Sequence, residues 1–259
     1  MLRHTFIHIP GVGHSTERKL WKHGVCTWDD AMELIDDSIE GVRSLGPHVR
    51  KYVPRTLLAI EERDSGFFAR LGRLGESWRL YSEFAEDCVY LDIETTGLSP
   101  QYDEITVVGT FDGSEYREFV KGKNLHQLGH ELKKYAVAIT FNGSSFDLPF
   151  LRRKFAPSLP SAHIDLRWAT FKLGYHGGLK QIESKFGVKR PKRVANIDGL
   201  DAVRLWNQYC RGDRYALERL IDYNRADVVG LRTIMEQCYS RSVAQQARFL
   251  PKARRLSLH

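Results

Sequence analysis

The sequence predicts an α/β fold in which helices flank a mixed central sheet, preceded by a small all-helical N-terminal region. Two observations predict it. Short apolar runs with the two-residue period of a β-strand recur between residues 88 and 166. Segments with apolar residues three and four positions apart, the spacing of an amphipathic helix, accompany these runs and continue to residue 239. Helices packed on a sheet form one of the common layered domains.

Five strands and six helices are predicted from residue 88 onwards, and short connections favour antiparallel pairing of the first three strands. The strands are placed at Val89–Glu94, Glu104–Phe111, Tyr116–Val120, Val137–Phe141 and, more briefly, His163–Leu166. The helices are placed at Leu125–Tyr135, Leu148–Phe155, Arg167–Leu173, Leu179–Phe186, Leu200–Tyr209 and Asp213–Tyr239. Upstream, helical patterns occur around Leu57–Glu62 and Phe67–Phe84.

Residues 9–25 combine a glycine turn with a basic helix. Gly11 and Gly13 permit a tight turn, and Gly24 can end the helix that follows. The segment resembles helix-hairpin-helix modules, which bind the nucleic-acid backbone, and this resemblance implies that Gly11, Gly13, Lys19 and Lys22 contact phosphates. Few residues precede the turn, so the first helix would be very short or missing. The alternative is a small packing unit with a glycine turn.

Acidic residues occur in two of the predicted core segments. Asp92 and Glu94 alternate with apolar residues in the first strand, so both side chains point to the same side. Asp147 follows the fourth strand and a turn at Asn142-Gly143, close to a helix start. Taken alone, the first pair fits a solvated edge strand, and Asp147 fits a residue that complements the helix dipole.

A third segment adds Tyr223 and Asp227. They are four residues apart in the last predicted helix, so they share a face at the border of its apolar stripe. Carboxylates from three elements in this order indicate a site for two divalent cations, because hard oxygen ligands hold such ions. Without cations, so many clustered acids would repel one another.

These motifs resemble those of the DEDD superfamily of 3′–5′ exonucleases, whose fold is ribonuclease H-like. Because Tyr223 stands four residues before the last acid, the chain resembles the tyrosine subgroup of this superfamily. The amino-acid sequences of Asn142–Asp147 and Tyr223–Asp227 resemble motifs in the proofreading domain of family B DNA polymerases. The whole region from Cys88 to Tyr239 resembles the small prokaryotic ribonuclease H-like exonucleases of the YprB type.

The resemblance implies a role for each residue. Two divalent cations, Mg²⁺ or Mn²⁺, would be held by Asp92, Glu94, Asp147 and Asp227, with Asp92 bridging the two. Tyr223 would orient the attacking water and not act as a base, since an ordinary tyrosine has a pKa near 10. The residues expected to cradle or support the terminal nucleotide are Thr95, Thr96, Gly97, Leu98, Asn142 and Phe146.

The charge distribution favours nucleic acid as the partner. The net charge is +7, and residues 1–87 contain 12 basic and 14 acidic side chains, so the excess lies on residues 88–259. A stretch that we call the basic loop contains no acid and is expected to contact phosphates; its cations are Lys185, Lys189, Arg190, Lys192 and Arg193. Residues 241–259 also contain no acid, and fit a binding arm and a disordered end equally well.

The predicted organisation has four parts. They are a helix-hairpin-helix-like region at 1–40, a helical connector at 41–86, a ribonuclease H-like exonuclease domain at 87–240 and a basic tail at 241–259. No stretch approaches the roughly 18 apolar residues of a membrane span, and no signal-peptide core is evident. The four cysteines form no C-x-x-C pair, which argues against zinc and suits a reducing cytoplasm. We therefore expect a cytoplasmic protein with no membrane partner.

The expected function is that of a metal-dependent 3′–5′ exonuclease, with DNA favoured over RNA and single-stranded 3′ ends favoured as substrates. One alternative is a structure-selective endonuclease or RNA-processing nuclease on the same fold. Another is a non-catalytic nucleic-acid-binding adaptor. Asp165, beside the short fifth strand, is expected to have a structural role; the alternative is a fifth acid near the site.

Overall fold

The computed structural model describes residues 1–34 and 46–252, and the chain divides into two compact units. The first unit comprises Met1–Ala85 and Tyr239–His259, and the second comprises Glu86–Cys238. The predicted boundary between residues 40 and 41, and Arg254 and Arg255 of the predicted tail, lie outside the described residues. Within the described ranges, no helix has the length and hydrophobicity that crossing a bilayer requires.

The first unit is helical, as predicted. A single 3₁₀ turn at Leu2–His4 precedes the glycine turn, in which Gly11 has a φ of 85°, a left-handed conformation that suits glycine. The described residues of this unit then form the α-helices α1 (His14–Lys22), α2 (Trp28–Leu34), α3 (Gly46–Glu61), α4 (Ala69–Arg73) and α5 (Tyr81–Phe84). The 3₁₀ turn at Leu2–His4 is the helical segment before the glycine turn, where a helix was expected to be very short or missing.

A buried arginine ties distant parts of the first unit together. Arg79 is fully buried and forms ion pairs with Glu17 of α1 at 3.0 Å and with Glu76 at 2.8 Å. It also donates to the Thr5 hydroxyl at 3.0 Å, and Glu17 accepts from the backbone N–H of Phe6 at 2.7 Å. Because a buried charge needs such partners, this network fixes α1 against residues 76–79.

The second unit contains a mixed five-stranded sheet. Its strands are β1 (Cys88–Thr95), β2 (Ile105–Phe111), β3 (Tyr116–Val120), β4 (Val137–Thr140) and β5 (Ala162–Asp165), in the spatial order β3-β2-β1-β4-β5. The first three strands are consecutive antiparallel neighbours, whereas β4 and β5 run parallel to β1. The predicted mixed central sheet is confirmed.

The remaining helices lie close to their predicted positions, with two differences at the ends. They are α6 (Leu128–Leu132), α7 (Asp147–Phe155), α8 (Leu166–Lys172), α9 (Leu179–Lys185), α10 (Gly199–Cys210) and α11 (Arg214–Ala247). The first of these is much shorter than predicted, because its opening residues form a 3₁₀ turn. The last one continues beyond the predicted end at Tyr239 and includes the start of the predicted tail.

Alternate residues of β1 face different layers of the second unit. Val89, Leu91 and Ile93 belong to one apolar cluster, which includes residues of α6 and α7. The opposite side of the sheet packs against α10 and α11, through a cluster that contains Val107, Val120, Leu205, Trp206, Leu217 and Leu220. Because side chains alternate along a strand, Asp92 and Glu94 face this second layer.

Candidate active site

The predicted acids line one cleft at the carboxyl end of β1. Its volume is about 580 Å³. The cleft is lined by the four acids and Tyr223, by the expected nucleotide-cradling residues and by residues of α10: Asp92, Glu94, Asp147, Asp227, Tyr223, Thr95, Thr96, Gly97, Leu98, Asn142, Phe146, Asp198, Gly199, Leu200 and Val203, together with Ile93 and Phe141. Segments far apart in the sequence thus meet at one place.

Three of the four acids form a group that could hold a metal ion. Asp92, Glu94 and Asp227 each offer a carboxylate oxygen, and these oxygens all lie within 4.8 Å of one another. Asp147, the first residue of α7, lies beside the group, and its Oδ1 accepts from the backbone N–H of Ile93 at 3.2 Å. The donor atoms are all hard oxygens, which fits Mg²⁺ or Mn²⁺.

Burial and mutual repulsion disfavour the charged forms of these acids. Burial raises the pKa of Asp92 and Glu94 well above the ordinary range, and their carboxylate neighbours raise both further. Burial likewise raises the pKa of Asp147 to about 7 and that of Asp227 to about 6. A bound divalent cation would offset this concentrated negative charge, so the electrostatics of the cleft fit the predicted cofactor.

Arg190, one of the cations of the basic loop, pairs with an acid of the cleft. Its side chain is only 8% exposed and forms an ion pair with Asp227. It also donates to Glu183 through Nε at 2.6 Å and through Nη2 at 3.0 Å. Two buried carboxylates thus draw the guanidinium inwards, and the expected contact of Arg190 with phosphate stays a prediction. Arg190 opposes the effect of burial on the pKa of Asp227.

Tyr223 lies one helical turn before Asp227 and is buried. Burial and the neighbouring carboxylates of Asp227, Glu94 and Asp92 raise the pKa of its hydroxyl. The hydroxyl is therefore protonated at neutral pH and can donate a hydrogen bond. Its ring lies 5.7 Å from the guanidinium carbon of Arg190 and 6.0 Å from Nζ of Lys180.

Asn224 is a site residue whose role the sequence did not reveal. Its Nδ2 donates to Asp92 Oδ2 at 2.9 Å, and its Oδ1 accepts from the Tyr116 hydroxyl at 3.0 Å. Gly109 of β2 pairs with Asp92 across the sheet, and a Cβ at Gly109 would lie 1.9 Å from Asn224 Oδ1. The glycine thus makes room for the amide that orients Asp92. One signal was present, since Asn224 is a polar residue within the apolar stripe of α11.

Another part of the cleft wall was also missed. Asp198, Gly199, Leu200 and Val203, at the start of α10, line it. In the sequence this segment has only the pattern of an ordinary amphipathic helix, and no signal distinguishes it.

Asn142 occupies a sharp bend between β4 and α7. Its φ of 66° lies in the left-handed region, which asparagine tolerates. Asp165 accepts from the backbone N–H groups of Asn142 at 2.8 Å and Ser144 at 3.0 Å, which confirms its expected structural role. The Asn142 Oδ1 accepts from Nη1 of Arg167 at 2.6 Å, so the cleft wall is linked to α8.

The other predicted cations of the basic loop are not among the residues that line the cleft. Lys185, Lys189, Lys192 and Arg193 are exposed. Arg193 pairs with Asp222 at 2.9 Å. In the first unit, the predicted backbone contacts Gly11, Gly13, Lys19 and Lys22 are also exposed.

A sequence model of the RNase H superfamily matches residues 89–239, which is more than half of the chain. The chain belongs to the RNase H superfamily. No curated protein matches the sequence.

Three solved structures resemble this RNase H superfamily member. The family B DNA polymerase of the archaeon Pyrobaculum calidifontis is 17% identical, with a TM-score of 0.46 over 63% of this chain and 28% of the polymerase. A nuclease in its apo form is 20% identical, with a TM-score of 0.47 over 67% of this chain and 83% of that one. NrnC of Brucella melitensis is 22% identical, with a TM-score of 0.45 over 69% and 82%.

Proposed function

We propose that this RNase H superfamily member is a divalent-metal-dependent 3′–5′ exonuclease of the DEDD type, in the tyrosine subgroup and similar to the YprB-type enzymes. It would hydrolyse phosphodiester bonds at single-stranded 3′ ends, with DNA favoured. One observation carries the proposal. Carboxylate oxygens of Asp92, Glu94 and Asp227 lie within 4.8 Å of one another, in a cleft that Asp147 and Tyr223 also line.

Each side chain has a distinct task in this proposal. Asp92, Glu94, Asp147 and Asp227 would hold two Mg²⁺ or Mn²⁺ ions. Such ions lower the pKa of water and stabilise the attacking and leaving oxygens. Tyr223 keeps its proton at neutral pH, because its pKa is raised, so it positions the attacking water by hydrogen bonding and does not deprotonate it.

The rest of the cleft suits the end of a nucleic-acid strand. Thr95, Thr96, Gly97 and Leu98 follow the acids on β1, and we propose that they cradle the terminal nucleotide, supported by Asn142 and Phe146. The preference for DNA rests on the glycine turn and on the lysines of α1, which are proposed to bind the backbone as helix-hairpin-helix modules do. DNA and RNA both carry the phosphates that the exposed lysines of the basic loop would contact.

The test is cleavage of 5′-labelled single-stranded DNA and RNA of one sequence, in Mn²⁺, Mg²⁺ or EDTA. The wild type is compared with Glu94→Gln and with Glu218→Gln, which is a matched change at an exposed glutamate of α11. A metal-dependent ladder that shortens from the 3′ end, lost in Glu94→Gln alone, is the expected result. A discrete internal product would instead favour the endonuclease.

A non-catalytic adaptor is the second candidate, and one observation favours it. Arg190 already forms an ion pair with Asp227, so one proposed metal ligand has a cationic partner within the protein. If the protein binds the DNA and the RNA oligonucleotide tightly but cleaves neither in Mn²⁺ or Mg²⁺, it is the adaptor.

A further inference from the structure

Three aromatic rings form an exposed patch on and after α8. Trp168 is 51% exposed and Phe171 is 53% exposed, although large aromatic side chains are usually buried. Their ring centroids are 5.9 Å apart, and the ring of Phe171 lies 4.8 Å from that of His176. We call these three residues the aromatic patch. A contiguous exposed patch of this kind marks a binding surface.

The aromatic patch lies on and after the helix that is hydrogen-bonded to the wall of the cleft. Arg167, the second residue of α8, donates to the Oδ1 of Asn142, which lines the cleft. Phe171 follows Arg167 by four residues, so the two side chains lie on the same helical face. Phe171 therefore lies about one helical turn, roughly 6 Å along the axis, from a residue that contacts the cleft wall.

Cations border the aromatic patch. Lys185 of the basic loop donates through Nζ to the carbonyl oxygen of His176 at 2.8 Å, and its side chain is exposed. Arg167 and Lys172, at the two ends of α8, are exposed as well. Exposed rings combined with flanking positive charge are the features that bind single-stranded nucleic acid, because bases stack on rings while cations track the phosphates.

We infer that the aromatic patch is a stacking platform for unpaired bases of the strand whose 3′ end enters the cleft. The inference rests on the proposed function and deepens it, because it names the residues that would select single-stranded substrates. Bases in a duplex already stack on each other and offer no free face to a protein ring. The platform would thus select single-stranded over double-stranded 3′ ends, and it would bind the segment on the 5′ side of the terminal nucleotide.

Tryptophan fluorescence provides a direct test. Of the five tryptophans, Trp168 is the one exposed indole, since the other four, Trp21, Trp28, Trp78 and Trp206, are at most 7% exposed. Titration with a thymine oligonucleotide at low salt in EDTA, where cleavage is not expected, should quench the emission. An oligonucleotide of equal length and charge that lacks bases should quench it far less. Trp168→Phe should remove the response.

Binding supplies the second measurement. Trp168→Ala combined with Phe171→Ala should weaken single-strand affinity by about tenfold or more, since stacking is worth about 1–3 kcal/mol per base. Affinity for a blunt duplex should hardly change. The control is Tyr215→Ala, an exposed aromatic residue of α11.

The outcomes separate the platform from the proposed function. If the oligonucleotide with bases quenches the fluorescence but the protein cleaves neither DNA nor RNA, the stacking platform is supported and the proposed exonuclease function is contradicted. Normal cleavage without quenching by either oligonucleotide would overturn the platform alone. Unchanged strand affinity in the double variant, together with an altered oligomeric state in light scattering, would also overturn it, because the patch would then bind a second copy of the chain.

Discussion

Asn224 determines how Asp92 is presented to the cleft. The buried amide donates to the carboxylate, and Gly109 leaves space for it. The hydrogen bond between Asn224 and Asp92 depends on the absence of a Cβ at Gly109, on the neighbouring strand. Residues that touch no substrate can therefore affect the proposed chemistry.

We predict that Gly109→Ala lowers cleavage by at least about tenfold, because the new Cβ displaces Asn224 from Asp92. Mn²⁺ affinity, measured by calorimetry, should fall in parallel. Gly72→Ala is the control, since a Cβ there meets nothing within 4 Å. Wild-type cleavage and Mn²⁺ affinity in Gly109→Ala would refute the proposed role of Asn224.

The buried ion pairs of Arg190 with Glu183 and Asp227 are expected to stabilise the folded protein. In the metal-free protein, Arg190→Ala should lower the free energy of unfolding by about 3–5 kcal/mol, because Glu183 and Asp227 lose their buried counter-ion. Saturating Mn²⁺ should restore part of the loss. The exposed Arg193, three residues later, provides the control, and its removal should cost at most about 1 kcal/mol. Equal losses in the two variants, measured by denaturant unfolding, would contradict the account.

The sequence predicted some site residues better than others. Asp92 and Glu94 share a face because a strand alternates, and Tyr223 and Asp227 do so because a helix repeats; both rules are local. The burial of Arg190 was not predictable, since it depends on Asp227, 37 positions away, and a run of cations is usually solvated. The role of Gly109 depends on the register of β1 and β2.

Among the elements, α1 carries the proposed backbone-binding surface of the first unit. Arg70 donates to the carbonyl oxygens of Ile9 at 2.7 Å and Val12 at 3.3 Å, so the glycine turn before α1 is held in place. The resemblance to a helix-hairpin-helix module nevertheless stays a prediction.

Changing Lys19 and Lys22 together to alanine should weaken DNA binding. The slope of log affinity against log salt should become less steep by up to about 2, because each phosphate contact contributes roughly 0.9. Fluorescence anisotropy at several salt concentrations measures this slope. Lys133→Ala, at an exposed lysine of the second unit, serves as the control. An unchanged slope in the double variant would remove α1 from the binding surface.

Element ends were the least predictable feature. α11 was expected to stop at Tyr239, because the following residues are basic and read as a tail. The helix continues to Ala247, and Val243 and Leu250 are buried in the first unit. Two apolar residues seven positions apart, among many polar ones, are too weak a pattern to indicate packing.

The acidic cleft makes the stability of the whole folded protein depend on pH and on divalent cations. The pKa of Asp147 is about 7 and that of Asp227 about 6 in the folded protein, both above the ordinary 3.8. The folded state therefore binds their protons more tightly, and their contribution to stability declines as pH rises from about 4 to 7. Divalent cations bind the deprotonated carboxylates and should reverse this decline.

The expected result is a larger rise in melting temperature on adding Mn²⁺ at pH 7.5 than at pH 5, relative to EDTA. Differential scanning calorimetry of the wild type and of Asp147→Asn measures it. The variant should lose part of the pH dependence, because an amide does not titrate. An identical Mn²⁺ effect at both pH values would exclude these carboxylates as the metal ligands.

Arg79 limits how this chain can be recombined with others. A cut near residue 40 would separate Glu17 from Arg79 and leave a buried guanidinium in one piece and a buried carboxylate in the other. Breaking a buried pair in this way costs about 3–5 kcal/mol, a large share of the stability of an ordinary domain. The glycine turn therefore cannot be transferred on its own, and a chimaera designed to borrow it should take both segments of the first unit, Met1–Ala85 and Tyr239–His259.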